Sequence, residues 1–188
     1  MPGKHARSRT PARTLLIVAL GLLSLSCAGR GSAGEEADGP ASRGLSIEPA
    51  DANVVIAAVA ASEAKTIVMN VWATWCGPCR EEFPDLMQLR EAYAGRGLEL
   101  VLVSADFDDR HEAALAFLDE QGVDFPTWIK TGDDMEFIDT LNPEWGGTLP
   151  ATFVYDSDGR LRAFWEGKAS YEQMEERVLP FLEESNRR

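Results

Sequence analysis

Residues 66–93 read TIVMNVWATWCGPCREEFPDLMQLREAY. The first eight, Thr66–Ala73, are β-branched or apolar with almost no polar alternation, the pattern of a strand buried on both faces. At Cys76 the period changes. From Pro78 to Tyr93 the apolar residues Phe83, Leu86, Met87, Leu89 and Tyr93 recur at helical spacing, which predicts a helix with that face inward. Gly95 and Gly97 end it, and Leu98–Ala105 reads as a second buried strand. A strand, a helix and a second strand in this order require a right-handed parallel crossover, so the fold class is α/β.

The pattern extends outward on both sides. Asp51–Glu63 has helical spacing through Val54, Val55, Ala58, Val59 and Ala61. His111–Gln121 is a further helix closed by Gly122, and Thr152–Tyr155 and Leu161–Trp165 flank a turn at Asp156–Gly159. The last helix starts at Ser170 with Gln173 three residues on, a capping box. Its apolar stripe is Met174, Val178, Phe181 and Leu182, and Pro180 is expected to kink or shorten it.

The chemistry sits where the strand hands the chain to the helix. Cys76 and Cys79 are spaced three apart at a helix N-terminus, where partial positive charge and unpaired backbone N–H groups favour thiolate over thiol. The thiolate is the nucleophile. Cys76, nearer the helix start and expected to be less buried, is the attacking residue; Cys79, one turn in, resolves the mixed disulfide. Pro78 suits a first turn, where a missing N–H costs nothing. A zinc half-site lacks further ligands: there is no second Cys pair, His5 lies in the leader and His111 stands alone. A purely structural disulfide closing so short a loop stabilises little. No metal and no cofactor are called for.

The stretch NVWATWCGPCREEFP (residues 70–84) resembles the active-site segment of the TlpA/ResA group of membrane-tethered thioredoxin-like proteins. The likeness runs from about Leu45 to Glu184. It implies a thioredoxin-like fold, a central mixed sheet flanked by helices, with an insertion before the strand that follows a cis-proline. GTLPAT (residues 147–152) resembles the family's second signature. By that likeness the peptide before Pro150 is cis, Pro150 lies against the cysteine pair, and Leu149 offers its backbone to a bound substrate. Read without the family, Pro150 is equally an edge device at a strand entry. Glu82 matches the acidic residue the family places near the cysteines and would take the proton of Cys79; the alternative is a solvated first-turn acid favoured by the helix dipole. Asn70 stands where ordinary thioredoxins carry a buried Asp.

Around the pair, Trp75, Gly77 and Pro78 are candidate substrate contacts, while Trp72 is expected in the core. Asp106, Asp108 and Asp109 lack the glycine and distal Glu of a calcium loop and read as a solvated loop. Phe125–Trp145 corresponds to the family's inserted short strand and helix, either packed on the domain or presenting a partner surface.

The N-terminus reads as an address. Lys4, Arg7, Arg9 and Arg13 precede Leu15–Leu25, an apolar run of about 11 residues. As helix it would rise roughly 16 Å, about half of a ~30 Å hydrocarbon core, so it fits a signal-peptide core rather than a membrane span. Small residues surround Cys27, as in a bacterial lipoprotein signal, although Ser24 stands where that signal usually has Leu. Residues 1–26 are thus expected to be a signal peptide of lipoprotein type, 27–44 a flexible tether rich in Gly, Ala, Ser and acids, and 45–188 the thioredoxin-like domain. Lipid on Cys27 would hold the domain at the periplasmic face of a membrane.

The net charge is −13, and residues 1–26 hold four bases and no acid; without them 14 basic and 31 acidic residues leave −17. Such acidity disfavours nucleic acid as a partner and otherwise serves solubility. The leading functional expectation is a monomeric reductase of disulfides in exported proteins, recharged by a membrane or periplasmic thiol donor. A disulfide-installing oxidant, a thiol peroxidase and a non-catalytic binding module are the alternatives. The peroxidase reading asks for Thr three residues before the reactive Cys, where this chain has Ala73. Metabolic labelling with palmitate is expected to mark the wild-type protein and spare Cys27→Ser. Equal labelling of the two would remove the tether.

Overall fold

The computed structural model describes residues 44–185. The expected signal peptide (1–26), Cys27 and the tether up to residue 43 lie outside the described residues. Among the described residues no helix is long and apolar enough to cross a membrane.

The architecture follows from the double burial of one strand. Strand β2 (Thr66–Trp72) is buried at every position, so both faces of the sheet must be covered. It is flanked by β3 (Leu98–Ser104), parallel to it, and β5 (Ala151–Asp156), antiparallel. With β1 (Ser46–Ala50), β4 (Pro126–Lys130) and β6 (Leu161–Glu166) these form a six-stranded mixed sheet in the order β1-β4-β3-β2-β5-β6. The period-two alternation of β2 divides the core. Val68 and Trp72 join the core built with α2 (Gly77–Tyr93), α3 (His111–Glu120) and α5 (Tyr171–Ser185). Ile67, Met69 and Val71 join the one built with α1 (Ala52–Ala61) and α4 (Asp134–Leu141). In the first core Trp72, Phe83 and Phe117 form a three-ring cluster with centroids 5.0–5.2 Å apart. In the second, Phe153 packs between Trp145 and Phe164.

The expected mixed sheet with helices on both faces is therefore present, and Trp72 is fully buried as anticipated. The insertion is also present: β4 and α4 precede the peptide at Leu149–Pro150, which is cis. The capping box forms, with the Ser170 N–H donating to Gln173 Oε1 at 2.9 Å. The turn at Asp156–Gly159 forms too: the Gly159 N–H donates to Asp156 O at 2.9 Å, and Gly159 takes φ +72°.

Three expectations are corrected. Strand β1 was not foreseen; Pro49 interrupts its pattern, yet β1 is an edge strand paired only with β4, where a proline is tolerated. Of the two effects expected of Pro180, shortening does not occur: α5 continues to Ser185, with Val178 and Leu182 on either side buried. Met87 is only partly buried and packs on the flank of the core rather than within it.

Phe153→Ala, emptying the site between Trp145 and Phe164, is expected to cost about 3–5 kcal/mol. Val54→Ala on the exposed face of α1 should change stability by less than about 0.5 kcal/mol. Urea midpoints at unchanged slope measure both.

Candidate active site

Cys76 is the N-cap of α2, and its Sγ accepts the backbone N–H of Cys79 at 3.2 Å. The sulfur therefore already occupies the place where a helix terminus offers its unpaired donors. Cys76 and Cys79 form a disulfide, with Cα atoms 5.3 Å apart. Cys76 is the more accessible, but narrowly, at 6% against 1% for Cys79. The expected contrast in burial is thus small, and the helix terminus is the larger difference between the two thiols. Trp75, Gly77 and Pro78 are exposed around Cys76, and a Cβ added to Gly77 would meet no atom within 4 Å.

The loop that carries Cys76 is held by a residue that sequence reasoning misjudged. Asp106, expected in a solvated loop, is buried. Its carboxylate accepts the Thr74 N–H at 2.9 Å, the Thr74 hydroxyl at 2.6 Å and the Ser104 hydroxyl at 2.7 Å. The Ala105 N–H also donates to Trp72 O at 2.7 Å. The chain leaving β3 is thereby fastened to the chain leaving β2. The signal for Asp106 was its position just past a buried strand that runs parallel to β2, at the same end of the sheet as Cys76.

Glu82 is likewise buried, with no exposed surface, so the solvated first-turn reading is overturned. One carboxylate oxygen accepts the Asn70 side-chain N–H at 2.9 Å, and the other accepts the backbone N–H of Ala169 at 2.9 Å. Burial pushes the Glu82 carboxyl up to about 7; the two hydrogen bonds and nearby Lys168 offset part of that rise, and Asp85 adds to it. Ala169 and Lys168, which pairs with Glu81 at 2.8 Å, lie beyond β6 and were not anticipated.

Pro150 is buried and Leu149 partly so. Ala151 pairs with Val71, which sets Pro150 level with Trp72, at the end of β2 that leads to the cysteines. Pro150 O accepts the Gly167 N–H at 2.8 Å. Upstream, Gly147 takes φ +82°, and any Cβ there would stand 2.9 Å from Ile138 Cδ1. Leu149 lines a groove of about 210 Å³ with Trp75, Phe107, Phe137, Ile138 and Trp145. The β4–α4 insertion is therefore packed on the domain and also forms one wall beside the redox pair. Phe107, an exposed contributor to that groove, had not been singled out.

The AhpC/TSA family model matches residues 47–164. The chain is 33% identical over 111 residues to the thiol-disulfide oxidoreductase ResA of Bacillus thuringiensis (strain Al Hakam), covering 59% of this chain and 60% of that protein. It is 34% identical over 119 residues to the thiol:disulfide interchange protein DsbE homolog of Paracoccus denitrificans (strain Pd 1222), covering 63% and 60%. The chain thus spans about 60% of the length of these curated relatives. A crystal structure of a thioredoxin-family thiol:disulfide interchange protein from Chlorobium tepidum TLS superposes with a TM-score of 0.54 at 27% identity, covering 67% of this chain and 83% of that one.

Glu82 gives stability a pH dependence whose sign is fixed. Its carboxyl ionises near 7 when folded against an ordinary value of 4.5, so the folded state holds the proton longer than the unfolded chain. The resulting stabilisation is complete below about 4.5 and is lost as pH rises through about 7, a change of about 3 kcal/mol. Urea unfolding of the oxidised protein from pH 4.5 to 7.5 should show this decline in the wild type and not in Glu82→Gln.

Proposed function

Taking as premise that the chain belongs to the AhpC/TSA family, as the match over residues 47–164 shows, we propose that it is a thiol–disulfide oxidoreductase that reduces disulfides of exported proteins. The observation that carries this reading is the Cys76 sulfur at the N-cap of α2, accepting the Cys79 N–H. The relatives named as thiol-disulfide oxidoreductases and interchange proteins support it.

In the reduced protein the Cys76 thiolate attacks one sulfur of a partner disulfide. The partner's S–S bond breaks, its other sulfur leaves as thiolate and takes a proton, and Cys76 is joined to the partner. Cys79 then gives its proton to Glu82 and attacks Cys76 Sγ. The Cys76–Cys79 bond forms, the second partner sulfur leaves, and two electrons have passed to the partner. Recharging needs a thiol donor, which reverses the sequence on the Cys76–Cys79 disulfide. A carboxyl that ionises near 7 suits the middle step, since it can take and return a proton at neutral pH.

The exposed residues Trp75, Gly77 and Pro78 form the rim on which the partner docks, with Leu149 and Pro150 presenting the adjoining strand entry. The groove beside them receives a side chain next to the partner's disulfide. Export, and a lipid tether at Cys27, would place this monomeric domain at the periplasmic face of a membrane. A thiol peroxidase is disfavoured: Ala73 stands three residues before Cys76, and the nearby Thr74 hydroxyl is committed to Asp106.

Direction follows from how strongly the surroundings favour the Cys76 thiolate. Gly77 and Pro78 bring no imidazole between the cysteines, and Glu81 and Asp85 follow on α2, with Arg80 and Lys168 as nearby cations. That moderate stabilisation keeps the pair reducing, with a potential below about −200 mV, against about −270 mV for thioredoxin and about −120 mV for the oxidant DsbA. Equilibration with a glutathione buffer measures it, and a value near −120 mV would make the protein an installer of disulfides. In the reduced protein iodoacetamide should label Cys76 well below pH 8 and ahead of Cys79. Insulin reduction should vanish in Cys76→Ser, and Cys79→Ala should accumulate the mixed disulfide with its partner.

A further inference from the structure

We propose that Asn70 is a positioning residue for the exchange reaction, its amide holding the Glu82 carboxyl and tying it to Thr152 on the strand entered through Leu149–Pro150. The inference rests on the reading of Glu82 as the group that takes the Cys79 proton.

Asn70 is a polar residue in a strand that, after Thr66 at its start, is otherwise made of Ile67, Val68, Met69, Val71 and Trp72, and none of its surface is exposed. By alternation it shares a face with Val68 and Trp72, the face that α2 covers. A side-chain amide buried there is costly unless it is bonded, so its partners define its role. Its Nδ2 donates to Glu82 Oε1 and to Thr152 Oγ1, both at 2.9 Å. Thr152 is its direct neighbour across the β2–β5 pairing and lies two residues after Pro150. The second Glu82 oxygen is held by Ala169 N–H from the far side. The carboxyl is therefore clamped between β2 and the segment before α5, with no solvent to reorient it.

The donor explains why the residue is Asn. Nδ2 is the group an ionised Glu82 needs, and its hydrogen bond favours that form over the protonated one. Asn70 Oδ1 is buried and has no hydrogen-bond partner. An ionised Asp at position 70 offers only acceptors, and Leu offers nothing. The charged groups around Glu82 are Asp85 on its own helix and Lys168 from the segment before α5, the latter already paired with Glu81; β2 and β5 bring only the neutral Asn70 and Thr152.

The test is Asn70→Leu, read in two ways: the ionisation of Glu82 by carboxyl ¹³C NMR in the oxidised protein, and the pH–rate profile for release of partner from the mixed disulfide. Losing the donor should raise the pH at which Glu82 ionises by about one unit and carry the pH–rate profile the same way. Thr152→Val, which keeps Asn70 and removes its second anchor, should produce a smaller shift of the same sign and serves if Asn70→Leu does not fold. An unmoved Glu82 titration in both variants overturns the proposal and leaves the exchange reading intact. A moved titration with an unmoved pH–rate profile also overturns it, by showing that Glu82 takes no part in the resolving step.

Discussion

Helix α2 begins where β2 ends, and that junction sets the Cys76 sulfur on the backbone N–H of Cys79. Everything else in the site is arranged around keeping this junction in place. On one side Asp106 accepts both the N–H and the hydroxyl of Thr74 and draws Ser104 into the same knot. Beneath, Trp72, Phe83 and Phe117 fill the core to which both cysteines belong. A helix terminus gives a charge preference only within its first turn, so a small displacement of the loop would forfeit it.

The same burial that fixes the junction raises the cost of any charge near it. Glu82 is enclosed and keeps its proton up to about neutral pH. Its hydrogen-bond partners, Asn70 and Ala169, come from β2 and the segment before α5, and Asn70 is tied in turn to Thr152 on β5. A proton site assembled from three parts of the chain responds to the packing of all of them. The surface ion pair of Lys168 and Glu81, by contrast, is exposed on both sides and contributes little beyond local order.

The insertion changes what the site presents to a partner. The cysteines follow β2, an interior strand, and the insertion adds a wall beside them. Its Phe137 and Ile138 join Trp75, Phe107 and Leu149 around an apolar groove. Phe107 and Trp75 remain exposed at its margin, at 65% and 54%, which is unusual placement for large apolar side chains close together and fits a surface that is covered in complexes.

Much of this was legible in the chain. The double burial of β2, the helix that follows it and the position of Cys76 at the junction are local: a β-branched run, a change of period and a proline suited to a first helical turn carry them. The resemblance around residues 70–84 and 147–152 brought in the sheet type, the insertion and the cis peptide before Pro150. Long-range pairing lay beyond either route. Edge strand β1 has no pattern of its own and exists because β4 offers it a partner. Asp106 read as part of a solvated loop and Glu82 as either a proton acceptor or a solvated acid, because one-dimensional spacing cannot tell whether water reaches a carboxylate. Only the folded sheet, bringing Thr74 within 2.9 Å of Asp106 and Asn70 within 2.9 Å of Glu82 across 32 and 12 residues of chain, decided that both are buried and bonded, since burial belongs to the packing of distant segments and not to any one of them.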